Sequence, residues 1–407
     1  MKAVIMAGGK GTRIASLNSE VPKPMIPIAG KPVLEHQIDC LRSQGITDIQ
    51  LIIGHLGNVV KEYFQSSVSY ITESEPLGTA GALYYLNGQV EDDFLLIHGD
   101  VIFDIDVERF REFHLKRGGL VTVFTHPNDH PYDSGIVIAD SNGKVTKWLS
   151  KEDERGWYKN RVNAGLHMMS PKLLNRFTEA RKTDLDRDIL KPLISENSLF
   201  AYDSPEYVKD MGTPERCYET ERDILTGKVR AKNLRNKQKA LFIDRDGTIN
   251  KFAGFLRNID NFELIENTTD IIKAANKEGY LVIVVTNQPV IARGELTWPQ
   301  LEEIHNKMET LLGQRGAYVD DIFICPHHPD KGFEGERPEY KISCGCRKPK
   351  PGLLLQAARK YNIDLSRSIM LGDSEKDMLA GEAAGCKSVL IDHINPSGVS
   401  IDILKEQ

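Results

Sequence analysis

Residues 241–250 read LFIDRDGTIN, an apolar run that passes directly into Asp-x-Asp-Gly-Thr. Such a run predicts a buried strand with two carboxylates at its carboxyl end. Side chains two apart on a strand point the same way, so Asp244 and Asp246 are expected to share a direction. Gly247 lets the backbone turn away, and Thr248 supplies a hydroxyl for phosphate. Open α/β sheets bind ligands outside the carboxyl ends of their strands. A carboxylate pair there suits Mg²⁺-dependent phosphoryl transfer, with Asp244 as nucleophile and Asp246 as proton donor to the leaving alkoxide. The plainer alternative is a turn bearing two solvated carboxylates.

Later strand ends carry matching pieces. The run 280–285 (YLVIVV) ends in Thr286-Asn287-Gln288, where the threonine can hold a transferring phosphoryl group. Arg347-Lys348-Pro349 precedes Pro351 and Gly352, which open a helix, and Lys348 is placed to neutralise an aspartyl-phosphate. Residues 368–371 lead into Gly372-Asp373-Ser374 with Asp377 beyond, carboxylates able to complete an oxygen-rich Mg²⁺ site with Asp244 and Asp246. Taken singly, a Gly-Asp is a turn and a Lys-Pro a helix entry; their order is what carries meaning. The set resembles the haloacid dehalogenase superfamily. More narrowly, DRDGTIN, TNQ followed by IARG (Arg293), a CxH…CxC cluster and CRKPxPG resemble the D,D-heptose 1,7-bisphosphate phosphatases and the related histidinol phosphatases. That resemblance runs from about Lys239 to the C-terminus. It implies phosphate contacts from Thr248, Thr286, Asn287, Gln288, Arg293, Arg347 and Lys348. Pro289-Val290 departs from the Ser-Gly usual in that subfamily, and a proline removes a backbone donor.

Of the six cysteines, Cys325, Cys344 and Cys346 lie close together beside His327. Cys325-Pro-His327 and Cys344-Gly-Cys346 make a Cys₃His set suited to closed, tetrahedral structural Zn²⁺. The loop between them is rich in Pro, Gly and charge and has little with which to build a core. His328 rivals His327, and the family pattern favours His327. Arg347 follows the last ligand, so the zinc loop is expected to aim it at the substrate's far phosphate.

At 407 residues the chain is expected to form at least two domains. Apolar content of 40%, charged content of 27% and net charge −6 are ordinary for a globular protein. No membrane segment or signal peptide is expected, and the acidic balance argues against nucleic acid as a partner. A thiolate metal site points to a reducing, cytoplasmic setting. The run 228–238 is basic and aperiodic, and reads as a solvated linker between domains 1–227 and 239–407.

The first half opens with strand 3–6, then Ala7-Gly-Gly-Lys-Gly-Thr-Arg13. Close-set glycines (Gly8, Gly9, Gly11) let backbone amides, with Thr12, approach a triphosphate, and Lys10 and Arg13 add charge. The spacing is not that of a Walker loop. Pro22-Lys23-Pro24-Met25 presents another lysine. Glu75-Pro-Leu-Gly-Thr-Ala-Gly81 follows, then strand 94–97 ending at Gly99-Asp100, and later Asp210-Met-Gly-Thr-Pro-Glu215. Strand and helix patterns alternate throughout, which predicts a mostly parallel sheet with helices on both faces.

These motifs resemble the sugar-1-phosphate nucleotidyltransferases from Met1 to about Thr226, closest in reading to the mannose-1-phosphate and D-glycero-α-D-manno-heptose-1-phosphate guanylyltransferases. The resemblance implies in-line attack of a sugar phosphate on a nucleotide α-phosphorus. Asp100 and Asp210 would hold Mg²⁺, and Lys10, Arg13 and Lys23 would carry phosphates. Glu75, Gly78, Thr79 and Gly81 are assigned to base and ribose, with Gly81 allowing close approach. Asn163 and Gly165 are assigned to the sugar floor. The usual Glu-Lys-Pro is missing, so Lys151 is the candidate for the sugar phosphate, with Lys147 as rival. His55 carries no assignment.

The expected fold class is α/β: two Rossmann-like domains, an N-terminal nucleotidyltransferase with a mixed, mostly parallel sheet and a C-terminal haloacid dehalogenase domain with a zinc loop. The halves constrain each other, since a phosphatase acting on heptose 1,7-bisphosphate yields the heptose 1-phosphate that a nucleotidyltransferase consumes. The expectation is a bifunctional enzyme making GDP-D-glycero-α-D-manno-heptose from GTP. The rivals are a mannose-1-phosphate guanylyltransferase fused to a histidinol-phosphatase-like enzyme, and a nucleotide-sugar-binding regulatory module on one active phosphatase. The sequence leaves GTP against ATP, the anomer and homo-oligomerisation open.

Overall fold

The computed structural model describes residues 1–8, 21–332, 334–392 and 401–404. The chain divides into two compact units. Unit 1 comprises Met1–His126, Val137–Leu149 and Asn163–Asn233; unit 2 comprises Pro127–Ile136, Ser150–Val162 and Leu234–Gln407. Two short stretches from the first half of the sequence therefore belong to the second unit.

In unit 1, strand Ala3–Met6 lies between parallel partners Ile49–Ile53 and Phe94–His98, and Ser69–Thr72 extends the sheet beyond Ile49–Ile53. Strand Val162–Met169 runs antiparallel to Phe94–His98, which makes the sheet mixed. The inner strands read as near-continuous apolar runs, interrupted by Gln50 in Ile49–Ile53, because both faces are covered. Helix Val33–Ser43 buries Val33, Leu34, Ile38 and Leu41 at helical spacing. Its buried Gln37 donates to the carbonyls of His98 (2.8 Å) and Val101 (2.6 Å), pinning the turn that carries Asp100. Gly99 is required in that turn, because a Cβ there would meet the Met6 carbonyl oxygen. Strand Val101–Asp104 pairs antiparallel with Tyr207–Asp210, in a register that sets Val101 opposite Asp210. Asp100 and Asp210 are thereby brought to neighbouring strand ends.

Unit 2 is built on five parallel strands in the order Asp321–Cys325, Leu281–Asn287, Ala240–Ile243, Ile369–Gly372 and Lys387–Leu390. All carboxyl ends open on one edge. Alternate residues enter opposite cores: Leu241, Ile243, Val282 and Val284 on one face, Ala240, Phe242, Leu281 and Ile283 on the other. Helix Trp298–Gln314 starts at a capping box between Thr297 and Gln300. Within this unit the buried Arg161 guanidinium lies 2.9 Å from Glu309 and donates to the Asp320 carbonyl at 2.8 Å.

The basic run 228–238 corrects the expectation of a solvated linker. Lys228–Ala231 is helical, and Asn233 donates to Asp104 at 2.6 Å within unit 1. Leu234 packs in unit 2 with Ala240 and Phe242, and Gln238 bridges to Ile363. Counting charge hid two apolar anchors, Val229 in unit 1 and Leu234 in unit 2. Among the described residues, no helix is long and apolar enough to cross a membrane.

Candidate active sites

At the strand ends of unit 2, Asp244, Asp373 and Asp377 offer oxygens that all lie within 4.8 Å of one another. The Lys348 ammonium sits 2.8 Å from Asp244 and 2.6 Å from Asp377. Burial pushes the Asp244 carboxyl up to about 7; Lys348 opposes this, while Asp377 and Asp246 add to it. Burial alone would lower Lys348, but Asp244 and Asp377 more than offset that and raise it. One buried and two half-buried carboxylates converge here, two of them on the Lys348 ammonium, and their oxygen-only donor set suits a hard divalent cation. Gly247 has φ +85°, and a Cβ there would collide with the Asp373 carboxylate, so no other residue fits.

The neighbours explain how these groups are held. Asn287, expected at the phosphate, instead clamps the backbone of Lys348, accepting from its N–H and donating to its carbonyl at 3.1 Å each. Ser374 donates to Asp377 through its backbone N–H (3.1 Å) and its hydroxyl (2.6 Å), as the capping box of helix Glu375–Ala384. Thr248 is buried, with no hydrogen-bond partner for its hydroxyl among the described residues. Gln288 donates to Thr286 Oγ1 and to Asp246 Oδ2, both at 2.8 Å. Pro289 opens the short helix Pro289–Ala292, where a missing N–H costs nothing, so the Pro289-Val290 departure leaves this backbone intact.

Asp246 does not join the metal-ligating group it was expected to complete. Its carboxylate is taken by Arg245, with Nη2 2.7 Å from Oδ2 and 2.9 Å from Oδ1. Two residues apart on a strand would have aligned Asp244 and Asp246, but the chain leaves the strand at Ile243 and turns between them.

Cys325, His327, Cys344 and Cys346 come together as a second group able to hold a metal ion. Cys346 Sγ lies 3.4 Å from Cys325, 3.2 Å from Cys344 and 3.4 Å from His327 Nδ1. Those spacings suit four ligands around one tetrahedral ion. His328 faces Asp330 at 3.7 Å and stays outside the group. Arg347 donates to the carbonyl of His327 at 3.1 Å. The Arg293 guanidinium lies over the Phe255 ring, 4.3 Å from its centroid.

In unit 1, Asp100 is ion-paired with Lys23. Burial alone would raise its carboxyl, but Lys23 and His98 more than offset that and hold it below the usual range. Asp210 accepts from Arg216 at 2.8 and 2.7 Å. A Cβ on Gly8 would collide with Glu73 Oε2, so Glu73 is the carboxylate beside Gly8, and Glu75 is exposed. Burial raises Glu73, and a hydrogen bond from Leu77 N–H opposes the rise. Gly9, Lys10, Gly11, Thr12 and Arg13 lie outside the described residues.

The other unit 1 assignments divide. A Cβ on Gly78 would strike the Thr183 carbonyl oxygen, and one on Gly81 the Arg181 carbonyl oxygen. The space expected for a nucleotide at Gly81 is thus filled by the protein's own backbone. Thr79 accepts from Leu185 N–H at 2.7 Å, a local tie rather than a ribose contact. Asn163 accepts from Gly165 N–H at 3.2 Å, and Gly165, at φ +76°, packs against the His98 ring. Lys151 falls in the segment that belongs to unit 2, where it is exposed and meets Glu152 at 3.8 Å. Lys147 is exposed on strand Val145–Leu149, and His55 is exposed as well.

Sequence reasoning missed Arg245, His305, Glu73 and Arg216. His305 carried a signal: it interrupts the apolar stripe Leu301, Ile304, Met308, Leu312 of its helix as a buried polar residue. Arg245 stood inside the motif but was passed over as the variable position.

Residues 2–227 match the Nucleotidyl transferase family, and residues 345–393 match the HAD-hydrolase-like family. D-glycero-beta-D-manno-heptose-1,7-bisphosphate 7-phosphatase of Pasteurella multocida (strain Pm70) is 43% identical over 155 residues, 38% of this chain and 81% of the relative. A protein of Oryza sativa subsp. japonica named "Probable mannose-1-phosphate guanylyltransferase 1" is 31% identical over 253 residues, 59% of this chain and 67% of the relative. The solved structure of HddC from Yersinia pseudotuberculosis complexed with GMP-PN covers 55% of this chain and 99% of its own, with 26% identity and a TM-score of 0.48.

Proposed function

Since the chain belongs to the Nucleotidyl transferase family and, in its second half, to that of the D-glycero-beta-D-manno-heptose-1,7-bisphosphate 7-phosphatases, we propose a bifunctional enzyme of nucleotide-heptose synthesis. Unit 2 removes the C7 phosphate of heptose 1,7-bisphosphate, and unit 1 transfers a guanylyl group from GTP to the resulting heptose 1-phosphate. The observation that carries the reading is the carboxylate–lysine cluster beside a Cys₃His cluster, in a half 43% identical to the phosphatase.

In unit 2, an Asp244 oxygen attacks phosphorus as the bond to the C7 oxygen breaks, and Asp246 gives that oxygen a proton. Asp246 then takes a proton from the water that attacks the aspartyl-phosphate, which frees phosphate and restores Asp244. Lys348 offsets the negative charge at the nucleophile. In unit 1, a sugar-phosphate oxygen attacks the α-phosphorus and pyrophosphate leaves, with Lys10, Arg13 and Lys23 neutralising phosphate charge. Magnesium would be held by Asp244, Asp373 and Asp377, and by Asp100 and Asp210, and when bound it neutralises phosphoryl oxygens. Zinc is the ion proposed for Cys325, His327, Cys344 and Cys346, in keeping with a reducing, cytoplasmic setting.

Glu73 favours guanine. A carboxylate offers two acceptors, and guanine presents two adjacent donors on its pairing edge where adenine presents a donor and an acceptor. The phosphatase relatives are named for the β-anomer, whereas the resemblance of the first half to the D-glycero-α-D-manno-heptose-1-phosphate guanylyltransferases implies the α-anomer. Mannose 1-phosphate is the competing acceptor, favoured by the relatives of the first half.

The test is an activity matrix on the intact chain: GTP and ATP against α- and β-heptose 1-phosphate and mannose 1-phosphate, with both heptose bisphosphate anomers for unit 2. GTP with α-heptose 1-phosphate should give the fastest pyrophosphate release. A decisive preference for mannose 1-phosphate, or for the β-bisphosphate alone, would overturn the heptose-guanylyl assignment. Asp244→Asn should abolish phosphate release and spare pyrophosphate release, and Asp100→Ala should do the reverse. Loss of both activities in either folded variant would sink the two-site scheme.

A further inference from the structure

Asp246 is held by a side chain the mechanism above does not use. Arg245 is completely buried, and its guanidinium reaches both Asp246 oxygens, through Nη2 at 2.7 and 2.9 Å and Nε at 3.2 Å. Its remaining nitrogen, Nη1, meets His305 Nε2 at 3.0 Å. His305 is buried on helix Trp298–Gln314, one turn of the stripe that faces the core. Burial, aided by the adjacent guanidinium, holds this imidazole well below its usual range, so it is neutral and Nε2 accepts the Arg245 proton. The Arg245 carbonyl meanwhile accepts from Ile249 N–H (2.8 Å) and Asn250 N–H (3.1 Å), tying the motif loop to the same residue.

A buried guanidinium spent wholly inside the protein carries a desolvation cost that a solvated turn would not require. What it secures is geometry. Gln288 and Asn250 also donate to the Asp246 carboxylate, at 2.8 and 3.3 Å, but each meets one oxygen, whereas Arg245 spans both and so fixes its rotation away from the cation-binding group of Asp244, Asp373 and Asp377. Resting on the phosphatase reading, we infer that Arg245, braced by His305, is the positioning residue that keeps Asp246 out of that group and aimed at the leaving-group oxygen. The substrate class follows: esters with basic, alkoxide-like leaving groups depend on this brace, and esters with acidic leaving groups do not.

The experiment compares single-turnover cleavage of heptose 1,7-bisphosphate and of 2,4-dinitrophenyl phosphate by the intact, metal-loaded chain. Its variants are Arg245→Met, His305→Leu and His305→Gln. Dinitrophenolate leaves without a proton, so only the sugar ester needs Asp246 in place. Arg245→Met and His305→Leu should slow the sugar ester by about thirtyfold or more and the aryl ester by less than about threefold, given the size of general-acid contributions. His305→Gln retains an acceptor and should recover most of the loss. An equal fall on both esters, or no fall on either, overturns the proposal. Should Arg245→Met fail to fold, the two His305 variants decide it alone. Wild-type protein inert towards both esters would instead overturn the phosphatase reading on which the inference rests.

Discussion

Arg347 occupies a position of unusual consequence for one side chain. It stands between the metal-ligating Cys346 and the active-site Lys348, and its guanidinium is hung from the carbonyl of His327. On the proposed reading it captures the phosphate remote from the nucleophile. Arg347→Ala should therefore cost about 2–3 kcal/mol in kcat/KM on a bisphosphate, a factor of roughly 30 to 160, and far less on a monophosphate. Equal losses on both substrates would remove Arg347 from substrate recognition. Single residues also show what a sequence discloses. That Asp244, Asp373 and Lys348 meet, and that Cys325, His327, Cys344 and Cys346 meet, was legible because their fixed spacing at strand ends places them together. Gly81 and Asn287 were misread because a glycine or an amide serves protein backbone as readily as ligand, and only the fold shows that Arg181 and Lys348 are the partners. Glu73 was passed over for Glu75 because neither composition nor motif says which of two nearby carboxylates faces Gly8.

Among the elements, the loop between Cys325 and Cys346 has the least core of its own, so the bound metal should act as its fold. One tightly held zinc per chain is expected. Chelation, or Cys344→Ser, should lower the melting transition of unit 2 while leaving nucleotidyl transfer by unit 1 intact. Full phosphatase activity without zinc would contradict this. Three elements also bury histidines held below their usual range, first by desolvation: His114 on helix Val107–Arg117, His167 on strand Val162–Met169 and His305. Unfolded chain takes up protons at these sites near pH 6.5 while the native state resists. Stability is therefore complete above that pH and falls as the solution is acidified below it, by up to about 1.4 kcal/mol per pH unit for each histidine. Melting curves at pH 7.5 and 5.5 should show the drop in both units, and a flat profile would refute it. Element positions were largely readable: strand Ala3–Met6 and the helix opened by Gly352 fall where the sequence put them. The linker was not, since Val229 and Leu234 outweighed a run of cations.

For the whole molecule, the domains do not follow a single cut. Segments Pro127–Ile136 and Ser150–Val162 belong to unit 2, although motif reading assigns them to the first domain. A fragment of residues 234–407 lacks both, and with them the Arg161 partner of buried Glu309. It should melt below the unit 2 transition of the intact chain by several degrees, as expected for a loss of about 1–2 kcal/mol. Glu309→Ala in the intact chain should cost about 3 kcal/mol, because it strips a buried guanidinium of its carboxylate. A fragment as stable as the intact unit would show the two segments to be dispensable.

The separation of that ion pair along the chain has a further meaning during synthesis. Arg161 and Glu309 are 148 residues apart. At a translation rate of about 5–20 residues per second, the arginine emerges from the ribosome roughly 7 to 30 s before its partner exists. For that interval the nascent first half carries two stretches that have nowhere to dock. Drawing unit 2 from both halves of the chain has a consequence in time. It makes completion of the earlier-made sequence wait on the later one, so a message truncated between the two would yield a first half with its arginine still hydrated.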